Sequence, residues 1–261
     1  MLPHHRDAIQ AFLARYEEKA EFIGILLAGS LAHGYAQEHS DIDIILIADE
    51  AAFRKHAVDN KLAFSIKDVC RYPQGYVDCK VVSLASLKDI AERGSDAARF
   101  AFKDARILRS SAPSLPSLIE AVCRFPIEAI EERQHRFASQ LLAWKWYLRQ
   151  AEEKGSSYLR HLACQKVALF SCRLILNRNQ RLFPYHKWLL QETKRAEAQP
   201  PGFQDQLAAF LENPTFDQAQ VITDQLLAFL GNTESEIDWP NQFMTDSELN
   251  WKDAPPPIDD L

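Results

Sequence analysis

Two short, almost unbroken apolar runs stand out near the N-terminus, at residues 22–28 and 42–48. Each is shorter than an ordinary helix and is bounded by turn-forming residues, so both are predicted to be buried strands. Ahead of them, residues 5–19 place Ile9, Phe12, Leu13 and Tyr16 on one face at helical spacing. Residues 49–56 predict a short helix and residues 63–69 a strand. Residues 76–83 are rich in β-branched and aromatic side chains and read as a better strand. Helices are expected at 84–93 and 96–103, and a last short strand at 105–108.

Beyond Pro113 and Pro116 the period changes. Phe137, Leu141, Trp144 and Leu148 recur at spacings of four, three and four, and Leu159, Leu162, Ala163, Val167, Phe170 and Leu174 continue the habit. Leu207, Phe210 and Leu211, then Ile222, Leu226 and Phe229, add two helices. The expectation is an α+β protein: a mixed sheet with flanking helices over residues 1–112, an antiparallel helical bundle over 113–232, and an acidic, proline-containing tail over 233–261. Pro126 is an alternative place for the boundary. The tail is expected to be extended, with Trp239 and Trp251 packing part of it on the body.

Composition narrows the class without naming a chemistry. The chain has 261 residues, 47% of them apolar and 25% charged, which suits a globular protein of two domains. No apolar run reaches bilayer-spanning length and the first residues lack a secretory pattern, so a cytoplasmic protein without a membrane partner is expected. The five cysteines, Cys70, Cys79, Cys123, Cys164 and Cys172, show no Cys-x-x-Cys spacing and read as reduced thiols. The net charge of −6 argues against coating long nucleic acid. The charge is uneven, however: residues 144–195 hold eleven Lys/Arg against three Glu, and residues 232–261 hold eight acids against Lys252. The basic middle could face phosphates or be a solvated helix surface.

Candidate chemistry concentrates between Gly29 and Ile47, in the stretch GSLAHGYAQEHSDIDIILI. A glycine at a strand-to-helix turn lets a ligand approach the backbone, and a serine hydroxyl with free N–H groups at a helix start suits an anion. Asp41 and Asp43, at i and i+2 of a strand, point to the same side about 6–7 Å apart. Like charges so placed call for a cation, and hard oxygen donors favour magnesium. Asp78 joins them if its strand neighbours theirs. Lys80 would share the side of Asp78 and either pair with Asp78 or Asp43 or touch a phosphate. His33 reads as an exposed loop residue or as a hydrogen-bond or, when protonated, charge partner for a phosphate, and His4 and His5 read as exposed terminal residues.

Gly29-Ser30, a spacer, Ser40-Asp41-Ile42-Asp43-Ile44 and an aspartate on a later strand together resemble the nucleotidyltransferase superfamily of the DNA polymerase β type. Within it the nearest likeness is to bacterial aminoglycoside and lincosamide nucleotidyltransferase-like proteins. The likeness is strongest over residues 22–83. It implies Asp41, Asp43 and Asp78 as catalytic metal ligands for Mg2+, two ions being expected with bound triphosphate. It implies Gly29, Ser30 and Ser40 as nucleotide-binding. The implied reaction transfers a nucleoside monophosphate, AMP from ATP, to a hydroxyl and releases pyrophosphate, with a small-molecule acceptor favoured over tRNA or protein. The alternative is a nucleotide-binding regulatory or antitoxin-like module with little turnover. Many relatives carry an arginine where this chain has His33, and no glutamate here matches the general base of some aminoglycoside enzymes.

A second stretch, NRNQRLFPYHKWL from Asn177 to Leu189, places Pro184 in the first turn of a new helix. Related bacterial sequences have a similar Pro-Tyr-His-Lys-Trp segment. Lys187 is therefore a candidate nucleotide-binding residue, with Tyr185 near base or acceptor. The competing reading packs Phe183, Tyr185 and Trp188 as an aromatic clamp and leaves Lys187 in solvent.

Overall fold

The protein is seen in a computed structural model that describes residues 1–254. It is an α+β structure of two compact units, Met1–Arg124 and Phe125–Leu261. The proline run at 255–257, part of the tail read from the sequence, lies outside the described residues.

The first unit runs α1 (Pro3–Tyr16), β1 (Phe22–Leu27), α2 (Gly29–His33), β2 (Ile42–Ala48), α3 (Glu50–Val58), β3 (Ala63–Ile66), β4 (Val77–Ser83), α4 (Leu84–Arg93), α5 (Asp96–Phe100), β5 (Arg106–Ser110) and α6 (Leu115–Cys123). The strands form one mixed sheet in the order β3-β4-β2-β1-β5. The β2/β4 pair is parallel and the other pairs are antiparallel. Central β2 is apolar almost throughout because both of its faces are covered. Ile42, Ile44 and Leu46 pack with Phe12 of α1 on one side. Ile45 and Ile47 pack with Leu87 of α4 and with Leu115 and Val122 of α6 on the other. Asp49 caps α3 by accepting from the Ala52 N–H at 2.8 Å, and Ser83 and Ser95 cap α4 and α5 in the same way.

Helix α6 lies past the boundary at 112 drawn from the sequence, yet it belongs to the first unit. Its apolar side, Leu115, Leu118, Ile119 and Val122, closes the second face of the sheet. It sits so close that a Cβ on Gly24 of β1 would be 2.8 Å from Leu115 Cδ2. Buried Arg99 ties the ends of α4 and α6 together, donating to the carbonyls of Ala91, Gly94, Val122 and Arg124. The prolines at 113 and 116 therefore start a helix of this unit, and the chain changes units beside Pro126.

The second unit holds α7 (Ile130–Lys154), α8 (Ser157–Arg178), α9 (Leu189–Lys194), α10 (Phe203–Glu212), α11 (Phe216–Phe229) and α12 (Trp239–Phe243). Gly155, left-handed at φ +63°, turns α7 back into α8. The described part of the tail is not extended. It folds into α12 and short helical turns at Glu234–Glu236, Met244–Glu248 and Asn250–Lys252. Phe243 anchors it against Trp144 and Tyr147 of α7, whereas Trp251 is exposed. No helix among the described residues is long and apolar enough to cross a membrane.

Candidate active site

The carboxylates gather at one end of the central strands. Asp43 of β2 stands directly beside Asp78 of β4 in the parallel register, so both side chains leave the same face of the sheet. Asp41, two residues before Asp43, precedes β2 on that side. All three are half-buried. Asp43 occupies the face that Ile45 and Ile47 bury further along the strand, and is itself only half-buried. Across the sheet the Ala28 N–H donates to the Asp43 carbonyl at 2.9 Å, which brings the end of β1 alongside.

Gly29 follows at once. Its φ is +63°, and a Cβ added there would overlap the Asp43 carboxylate. Only a residue without a side chain lets the turn and the carboxylate share this space. Ser30 is 5% exposed, and its Oγ is buried with no hydrogen-bond partner in the structure. Buried hydroxyls are ordinarily bonded, so this oxygen is a donor and acceptor in reserve. The helix that follows, α2, is only five residues long. The anion site expected at a helix start therefore owes little to a macrodipole, which needs a longer run of aligned peptides.

Sequence reasoning missed the tyrosines. The Tyr76 hydroxyl donates to Asp41 Oδ2 at 2.9 Å, and the Tyr76 carbonyl accepts from the Ile42 N–H at 3.0 Å. The hydrogen bond to Asp41, then that carboxylate's charge, burial, and the charges of Asp78 and Asp43 together hold the Tyr76 phenol above its ordinary value. That phenol thus feels all three acids. The Tyr72 hydroxyl donates to the Ser40 carbonyl at 2.8 Å, and its ring lies against His4 and His5. Tyr76, just ahead of β4, reads only as β-propensity, and Tyr72 lies in the loop before it, so no local signal marked either one.

Several expectations are corrected. Ser40 Oγ accepts from the Gln37 N–H at 2.8 Å and closes the turn ahead of Asp41. His33 is not an exposed loop residue: its side chain is 4% exposed, hydrogen-bonded to Asp104 and packed on Phe100. His5 is not an exposed terminal residue either. It is 0% exposed in α1, and burial followed by the neighbouring His4 lowers its pKa. Lys80 shares the face of Asp78 but is exposed, and among the described residues it forms no ion pair. Burial, with Asp78 adding to it, pushes the Cys79 thiol up to about 12, which suits an inert core thiol. Lys187 lies in the second unit, on a short turn, His186–Trp188. It is exposed, with its ammonium 5.0 Å from the Trp188 ring centre. The aromatic clamp is only partly built: Phe183 is buried, but Tyr185 is 61% exposed at φ +63°.

The three aspartates share a face and an end, but they do not form a closed cage. Among the described residues no three His, Cys, Asp or Glu side chains are gathered as a ready-made metal site. The donor set is nonetheless hard oxygen throughout, flanked by a backbone cradle and an unbonded hydroxyl. Magnesium typically takes one or two protein carboxylates and fills its remaining positions from phosphate and water, so an open set of carboxylates is compatible with it.

No family model matches the sequence, and no curated protein matches it. Among solved structures, the chain is similar to a nucleotidyltransferase-like protein from Exiguobacterium sibiricum 255-15. The TM-score is 0.49 at 12% identity, over 95% of this chain and 79% of that one. The residues of the site, rather than that likeness, carry the functional reading.

Proposed function

We propose that this protein is a magnesium-dependent nucleotidyltransferase that moves a nucleoside monophosphate, AMP from ATP, to a hydroxyl of a small-molecule acceptor. The observation that carries the reading is the register of Asp43 beside Asp78 with Gly29 pressed against the Asp43 carboxylate. The unbonded Ser30 hydroxyl supports it.

In this reading Asp41, Asp43 and Asp78 hold the cation. Magnesium held there, two ions with the triphosphate, would lower the pKa of the acceptor hydroxyl and offset charge on the departing pyrophosphate. Gly29 admits phosphate oxygens against the backbone, and Ser30 donates its hydroxyl to one of them. A bond forms between the acceptor oxygen and the α-phosphorus. The bond from that phosphorus to the α,β-bridging oxygen breaks, pyrophosphate leaves with the electron pair, and the hydroxyl proton passes to water. The protein contributes position and electrostatics rather than covalent chemistry.

The test is magnesium-dependent pyrophosphate release from ATP across a panel of small hydroxyl compounds, for the full chain and for Asp43→Asn and Asp78→Asn. Each variant should lose at least about 100-fold in rate, the scale of removing one electrostatic anchor of a transition state, while thermal melting stays cooperative. Undiminished turnover in either variant would sink the assignment. ATP and magnesium raising the melting temperature with no pyrophosphate from any acceptor would favour the regulatory alternative.

A further inference from the structure

Asp43 and Asp78 are aimed by sheet register, but Asp41 is not. It lies one residue ahead of β2, at the end of the turn closed by Ser40, where backbone pairing does not fix a side chain. We infer that Tyr76 is the positioning residue that sets the Asp41 carboxylate for cation binding. This rests on the reading of the triad given above.

Tyr76 grips both sides of the peptide joining Asp41 to Ile42. Its carbonyl takes the Ile42 N–H at 3.0 Å and its hydroxyl donates to Asp41 Oδ2 at 2.9 Å. The main chain and the carboxylate are thus aimed from one residue, at the strand position just before the pair Ile42–Val77. The hydroxyl occupies one carboxylate oxygen, and it is the only side-chain hydrogen bond of Asp41 among the described residues. Oδ1 is left for a cation. A neutral donor is well suited here, because it fixes rotation about the side-chain torsions without bringing a positive charge that would compete with the metal. A carboxylate aimed in advance gives up less rotational freedom when it binds.

The grip is itself anchored. The preceding carbonyl, that of Ser40, accepts from Tyr72 at 2.8 Å. The Tyr72 ring is 4.5 Å from that of His4 and 5.2 Å from that of His5, at the start of α1. His4 in turn bonds the Glu38 carbonyl at 2.9 Å. The turn that delivers Asp41 is thus tied to a helix packed on the core rather than left to move as a free loop. At that turn the Tyr72 hydroxyl bonds the Ser40 carbonyl, whereas the Tyr76 hydroxyl bonds the carboxylate itself, so the two residues should separate in experiment.

The probe is Mn2+ alone, followed by the loss of its free-ion EPR signal on titration of the full chain. Wild type should bind, and Asp43→Asn should abolish binding. Tyr76→Phe should raise the Mn2+ Kd about 10-fold or more, the usual cost of losing a hydrogen-bond partner of a metal ligand. Tyr72→Phe should lower the melting temperature while leaving the Kd within about threefold, because its bond is to the main chain. Tyr76→Phe added to Asp41→Ala should cause no further loss, since the hydroxyl acts through Asp41. Wild-type affinity in Tyr76→Phe, with binding still lost in Asp43→Asn, would overturn the inference and leave the triad standing. A further loss in the Asp41→Ala background would assign Tyr76 a general structural role and also overturn it. Undiminished binding in Asp43→Asn would remove the triad reading and this inference with it.

Discussion

Gly29 is the residue at which geometry constrains chemistry most tightly. Its backbone is left-handed, and a methyl group there would occupy the space of the Asp43 carboxylate. Gly29→Ala should therefore cost about 1–3 kcal/mol in urea denaturation, the range for a strained non-glycine residue. It should also remove pyrophosphate release, because the carboxylate must turn away. An alanine variant with wild-type stability and turnover would show that the close approach is unimportant. Other residues resisted reading from the chain because their surroundings come from distant segments. His33 is buried by Phe100 and Asp104, and His5 by the turn before β2 and by Tyr72. Exposure of a histidine is not a local property, so spacing could not supply it. Lys80 erred in the opposite direction. Of its two readings, an ion pair with Asp78 or Asp43 is not made among the described residues, and the exposed side chain leaves only the phosphate reading.

At the level of elements the apolar pattern was informative. The expected run at 42–48 is β2 itself, and Leu84–Arg93 is α4 to the residue. The apolar run of β2 stops where Asp49 caps α3, and the helical periodicity of α4 begins at its own cap, Ser83. The two-residue repeat of a strand predicts that Asp41 and Asp43 share a side, but β2 begins at Ile42, so the repeat aims Asp43 and leaves Asp41 to its surroundings. That Asp78 stands beside Asp43 does not follow, because strand order and register depend on which strands find each other across the loop and helix between them. Helix α6 shows the same limit. Two prolines read as a boundary, but the apolar side of the helix is needed to cover Leu26, Ile45 and Ile47. A fragment of residues 1–124 should be soluble and melt cooperatively by circular dichroism. A fragment of 1–112 should aggregate, because that face of the sheet would be bare. Cooperative melting of the shorter fragment would show that α6 is dispensable.

On the scale of the whole molecule, the uneven charge finds its explanation inside the second unit. Lys145 is buried against Glu234 at 2.6 Å and Gln220 at 3.0 Å, and Arg136 of the same helix pairs with Asp246. Arg149 lies over the Phe216 ring, Arg173 over Phe137 and Phe183, and Arg181 and Arg195 reach Glu192. Lys145 and Arg136 meet the acidic tail, and much of the other cationic charge is engaged with aromatic rings or with Glu192. Fluorescence anisotropy with a labelled tRNA should accordingly give a Kd no tighter than about 10⁻⁴ M at physiological salt, the weak end of non-specific binding. Micromolar affinity with a steep salt dependence would transfer the acceptor reading from small molecules to RNA.

Local regularities of the chain were enough to specify two regions of different architecture, the principal strands and helices, and the Gly-Ser and Asp-x-Asp pieces of the site. Each depends on neighbours a few residues apart, where backbone geometry dictates which side chains share a face. Folding in three dimensions was required to set Asp78 beside Asp43, to press Gly29 against that carboxylate, to bring Tyr76 onto Asp41 and to pair Lys145 and Arg136 with the tail. Those are contacts between segments far apart in sequence, and a one-dimensional repeat carries no information about them.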